Sequence, residues 1–137
     1  MVYHWTVLTH PADLKLKIVA QTKAELFEGA LEAMAHVLTK EPFPSSFSLQ
    51  QELNLSSVNL ATLLVDFLNE VLAQSEIEQA VFPRLQIKHL TDTQLQAQIF
   101  GFKIEQFQTQ IKAVTYHQVK ITQNSQGKLE IIILFDL

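Results

Sequence analysis

The sequence predicts an α+β fold: a mainly antiparallel β-sheet with two amphipathic helices packed on it, forming a single domain over residues 1–137. Three observations predict it. Most of the chain alternates apolar and polar residues with period two, as half-buried strands do. Two segments before residue 75 instead repeat apolar residues at helical spacing. A length of 137 residues with 47% hydrophobic content suits one core.

The elements follow in order. In "LKLKIVA", residues 14–20, Leu14, Leu16, Ile18 and Ala20 share one face and Lys15, Lys17 and Val19 the other, which predicts a strand with Asp13 at its mouth. Thr22 and Glu25 then stand at capping-box spacing. Behind them Leu26, Phe27, Ala30, Leu31, Met34, Ala35 and Leu38 form one helical stripe, closed by Pro42 and Pro44 beyond its end. Residues 46–55 alternate again through Phe47, Leu49, Leu53 and Leu55. A second helix is predicted in "NLATLLVDFLNEVLAQ", with Leu60, Leu63, Leu64, Phe67, Leu68, Val71 and Leu72 on its apolar face. Its other face carries Asp66, Asn69 and Glu70, whose spacing suits a solvated surface or a docking surface. Four strands complete the reading, over about 82–90, 94–100, 114–123 and 128–136, with "NSQGK" as the last turn.

Composition narrows the chemistry. There are no cysteines, so a disulfide scaffold, a thiolate zinc site and a cysteine nucleophile are excluded. Only three glycines occur, too few and too scattered for a phosphate-binding loop, and no G-x-S-x-G elbow is present. A net charge of −4 with 18% charged residues argues against a general polyanion binder. The first ten residues lack the basic start and apolar core of a signal peptide, and no apolar run is long enough to span a bilayer. A cytoplasmic protein is expected, from a mesophile by its abundant glutamine and sparse ion pairs.

Two acids stand out by position: Asp13 at a strand mouth and Asp136 at a strand end, followed by Leu137 with its main-chain oxygen. If the first and last predicted strands are neighbours, these oxygens converge and suit a hard cation such as Ca²⁺ or Mg²⁺. Asp13 as a turn cap and Asp136 as a solvated strand end is the alternative. His10, three residues before Asp13, reads as a structural partner of that acid or as a base. Alternation places Ala113, Thr115, His117, Val119 and Ile121 on one face of a continuous strand. His4, His36 and His89 share no ligand spacing.

Taken together in order, these stretches resemble the archease family. "HPADLKL" stands where that family has a His-Thr-Ala-Asp-hydrophobic-Gly signature, and "ELFEGALEAMAHVLT" is similar to its first helix. "LLVDFLNEVLAQSE", "IKAVTYH" and "ILFDL" are similar to its second helix, a late motif and its ending. The resemblance implies a non-catalytic protein cofactor of the RtcB-type RNA ligase of tRNA splicing and RNA repair. Such a cofactor promotes guanylylation of the ligase and multiple turnover, and meets RNA only through the ligase. It also implies a divalent-cation site, Ca²⁺ foremost with Mg²⁺ or another ion as alternatives, held by Asp13, Asp136 and Leu137. His10 then braces the turn, while Lys112 and His117 are candidates to face the ligase or support the site. Three positions depart from the family pattern: Pro11 for Thr, Lys15 for Gly and Phe102 for Glu. The competing readings are a metal-dependent hydrolase and a chaperone or modulator of an RNA-modification enzyme.

Overall fold

A computed structural model describes residues 3–10 and 13–137. Strand β1 (Tyr3–His10) runs into β2 (Asp13–Ala20), then helix α1 (Lys23–Leu38) and strand β3 (Leu49–Ser56). Helix α2 (Leu60–Glu78) follows, then β4 (Ala80–Leu90), β5 (Gln94–Lys103) and the short β6 (Ala113–Thr115) and β7 (Thr122–Gln123). The last strand is β8 (Leu129–Asp136). All pairings are antiparallel, as expected for strands joined by hairpins and helical excursions.

The predicted single sheet is in fact two. One has the order β1-β2-β8-β6, with β7 also on β8; the other has the order β3-β5-β4. Helix α1 packs against strands of both sheets, and α2 touches β3, β4 and β5 of one and β6 of the other. The apolar faces therefore close on a shared core. Leu16 and Ile18 of β2, Ile131, Ile133 and Phe135 of β8, and Leu53 and Ile99 of the second sheet are all buried in it.

Both helices form where periodicity and capping place them. Leu26, Leu31, Leu63, Leu64, Phe67 and Leu68 are completely buried. At α1 the Thr22 hydroxyl accepts from the Glu25 N–H at 3.1 Å and donates to the Glu25 carboxylate at 2.9 Å. At α2 the Asn59 side chain caps the Thr62 N–H at 2.8 Å, a cap the hydrophobic pattern alone did not reveal. Helix α2 ends at Gln79 in the left-handed conformation, φ 51°.

One strand was not predicted, and one prediction is corrected. The N-terminal segment is β1, pairing with the whole of β2 from Tyr3↔Ala20 to His10↔Asp13. Its signal was present, since Tyr3, Trp5 and Val7 are half-buried while His4, Thr6 and Leu8 are exposed. The predicted strand over 114–123 is broken. After Thr115 the chain turns, with Gln118 at φ 54°, so the expected face of Ala113, Thr115, His117, Val119 and Ile121 does not exist.

Candidate functional site

Strand β8 is flanked by β2 on one side and β6 on the other, and both registers meet at its end. Asp13 pairs with Asp136, and Asp136 pairs with Ala113. Directly opposed residues in a ladder point to the same face. Leu14 opposes Phe135 and Leu16 opposes Ile133 on the core face, so Asp13 and Asp136 project together from the outer face. Opposed pairs have Cβ atoms about 4.5–5.5 Å apart, which brings the two carboxylates within reach of one ion.

Like charges directly opposed on neighbouring strands destabilise a sheet. The arrangement also leaves a debt in hydrogen bonding: Asp13 Oδ1 is buried without a hydrogen-bond partner among the described residues. A buried carboxylate oxygen with no donor calls for a cation or water. Two carboxylates and the main-chain oxygen after Asp136 are hard ligands, of the kind that suits Ca²⁺ or Mg²⁺ and that those ions complete with water. No cluster of three or more His, Asp or Glu side chains able to hold a metal occurs among the described residues. The donors that the described residues supply here are oxygens, the kind a hard cation takes.

The other candidates are placed as follows. Leu137 is half-buried and packs its side chain against the core, leaving its main chain beside Asp136. The Lys112 N–H donates to the Asp136 carbonyl at 2.7 Å, so Lys112 adjoins the pair, with its side chain exposed. His117 does not join it. It is exposed in the turn beyond β6, in a chain that runs away from the Ala113–Asp136 row. His10 belongs to β1 by its backbone register with Asp13, and its side chain lies outside the described residues, as does Pro11.

The polar face of α2 is also reassigned. Asn69 acts as a surrogate strand for the edge of β6. Its Nδ2 donates to the Val114 carbonyl and its Oδ1 accepts from the Val114 N–H, both at 2.9 Å. One turn earlier, Asp66 accepts a hydrogen bond from the Tyr116 hydroxyl. That bond is the main reason the phenol is held above its ordinary pKa, with burial adding to it. Glu70 accepts from Gln74 at 3.2 Å. Asn69 and Asp66 dock α2 onto β6 and the residue after it, and β6 in turn pairs with Asp136. Asn69→Ala would strand both polar groups of the buried Val114 and is expected to cost about 2 kcal/mol. Urea unfolding at constant m-value is the check.

Sequence reasoning missed one aromatic feature. His36 stacks on Trp5 at 5.3 Å and lies 4.5 Å from the Phe43 ring. They line a groove of about 530 Å³ together with Val7, Leu14 and Thr39, on the opposite side of β2 from the carboxylates. The aromatic neighbours of His36 come from β1 and from the segment after α1.

The sequence model of the Archease protein family (MTH1598/TM1083) matches residues 5–137. The chain belongs to the archease family. Protein archease of Methanosarcina barkeri is 34% identical, with 92% of each chain covered, and that of Methanosarcina mazei is 32% identical over the same share. Among solved archease-fold structures, protein 1598 of Methanobacterium thermoautotrophicum superposes with a TM-score of 0.73 at 23% identity, covering 97% of this chain and 98% of that one. The Thermotoga maritima archease TM1083, described as a possible chaperone, gives 0.69 at 21%, covering 95% and 94%. These two likenesses bear on the fold, which is the archease fold with its two helices and antiparallel strands. Two archease-like motifs, "LLVDFLNE" and "IKAVTYH", are here bonded to each other through Asn69 and Asp66. No helix among the described residues is long and apolar enough to cross a membrane.

Proposed function

We propose that this archease is a non-catalytic, cytoplasmic activator of an RtcB-type RNA ligase in tRNA splicing and RNA repair. It promotes guanylylation of the ligase and lets it turn over repeatedly. The observation that carries the reading is the Asp13–Asp136 row, with a buried oxygen unpartnered among the described residues, in a chain of this family. Asp13, Asp136 and the main-chain oxygen of Leu137 would hold a divalent cation, Ca²⁺ first and Mg²⁺ second, which would supply charge neutralisation at the joint between β2 and β8. Neutralised, that end of the sheet presents a rigid rim to the ligase, with Lys112 beside it. The rim helps order the ligase's active site for nucleotide transfer. RNA is met through the ligase alone.

A hydrolytic role has less support: among the described residues the two carboxylates have no third side-chain ligand and no adjacent base, which makes a poor metal-water catalyst. A chaperone-like modulator of an RNA enzyme rests on the description of the Thermotoga maritima relative. Incubating an RtcB-type ligase with GTP, with and without this chain, tests the proposal. The activator reading expects faster formation of the ligase–guanylate adduct. An unchanged adduct rate and an unchanged turnover number reject it.

A further inference from the structure

The outer face that carries the two aspartates also carries a lysine. Lys15 follows Asp13 by two residues on β2, so both side chains point the same way. Lys15 pairs with Leu134 while Asp13 pairs with Asp136, which makes Lys15 and Asp136 diagonal neighbours on that face. Diagonal Cα atoms lie about 7–8 Å apart, within the span of a long side chain. Lys17, two residues further along the same face, already reaches across the ladder to Glu130 at 3.4 Å. Lys15 is exposed and makes no contact ion pair among the described residues, with these aspartates or with any other acid, so its charge is not engaged elsewhere.

We infer that Lys15 is the built-in counter-ion of the Asp13–Asp136 pair, and that its ammonium competes with the divalent cation for the same two carboxylates. Two opposed carboxylates need positive charge whether or not an ion is bound. With the cation absent, the Lys15 charge offsets the repulsion across the diagonal, through space and without a contact ion pair. With the cation present, Lys15 is pushed outward and its charge opposes the bound ion. The chain thus holds its ion more weakly and exchanges it more readily than the carboxylates alone would dictate, and the ion-free fold depends less on the ion. The metal half of this inference rests on the reading under Proposed function; the ion-free half does not.

The experiment uses the full chain with Lys15→Gln, Asp13→Asn/Asp136→Asn and the combined triple variant. In EDTA at low salt, Lys15→Gln should lower the thermal midpoint by about 3 °C in the parent chain. It should have no effect where both aspartates are already neutral. Calorimetric titration with CaCl₂ should show the Lys15→Gln chain binding about tenfold more tightly than the parent. That is the Coulomb effect of removing a unit charge about 6 Å from a doubly charged ion in a water-like dielectric. The gain should shrink as salt is raised. Equal midpoint shifts in both backgrounds, or unchanged or weaker Ca²⁺ binding by a chain that does bind it, overturn the inference. If the EDTA coupling appears and neither chain binds Ca²⁺ or Mg²⁺, the counter-ion role stands and the cation site of the proposed function is what fails.

Discussion

Replacing Gly101 by alanine is expected to destabilise the protein by about 3 kcal/mol or more, the upper range for forcing extra volume into a packed site. A Cβ there would stand 2.2 Å from the Val81 carbonyl oxygen and 2.7 Å from the Phe82 ring. Neither neighbour can give way cheaply. The carbonyl is backbone, and the Phe82 side chain is 1% exposed in the core. The crowding comes from a break in the β4–β5 ladder. Val81 pairs with Phe102, but the next pairing is Arg84 with Phe100, so Phe82 and Pro83 bulge over Gly101. Opening that bulge would disturb β4, which packs against both helices. Denaturant unfolding of Gly101→Ala should show the loss as a lower midpoint. A variant as stable as the parent would mean that the bulge is soft.

Gly101 also illustrates where sequence reading runs out. A glycine within a period-two strand signals a close approach of backbone, yet nothing in the chain says which backbone. The helices were legible because their information is local. Stripe periodicity and the Thr22–Glu25 cap lie within one segment, and the structure buries the stripe and forms the cap. Strand β1 was harder, because Leu8 interrupts the alternation with an apolar residue that is 41% exposed. The stretch after Thr115 misled for the opposite reason. "VTYHQVKIT" keeps alternating, but Asp66 on α2 holds Tyr116 and Gln118 adopts a positive φ, so tertiary contacts turn the chain. The division into two sheets and the double engagement of Asn69 are likewise properties of pairing rather than of spacing.

The candidate site was legible in part. Asp13 and Asp136 are 123 positions apart in the chain, and no local pattern links them. Their places at a strand mouth and a strand end singled them out, resemblance to the family motifs joined them into one ligand set, and the register sets them opposite each other. His117 was drawn into the group by an alternation that the fold does not keep, whereas Lys112 is tied to Asp136 through its backbone.

The second large effect concerns those aspartates. Neutralising both, as Asp13→Asn/Asp136→Asn, is expected to weaken Ca²⁺ binding by about a hundredfold or more. Even groups that only support metal ligands commonly cost ten- to hundredfold when removed. The fold should survive, because the pair lies on the outer face at the end of the sheet while the core is lined by other residues. Neutral amides also relieve the carboxylate repulsion, so unfolding in EDTA should be no easier for the variant than for the parent.

Ligase turnover tests the central claim most directly. A multiple-turnover RNA ligation assay with an RtcB-type ligase should be run with the parent chain and with Asp13→Asn/Asp136→Asn, thermal unfolding confirming that both are folded. The account predicts strong stimulation by the parent and a rate close to that of ligase alone with the variant. Full stimulation by the folded variant would contradict it.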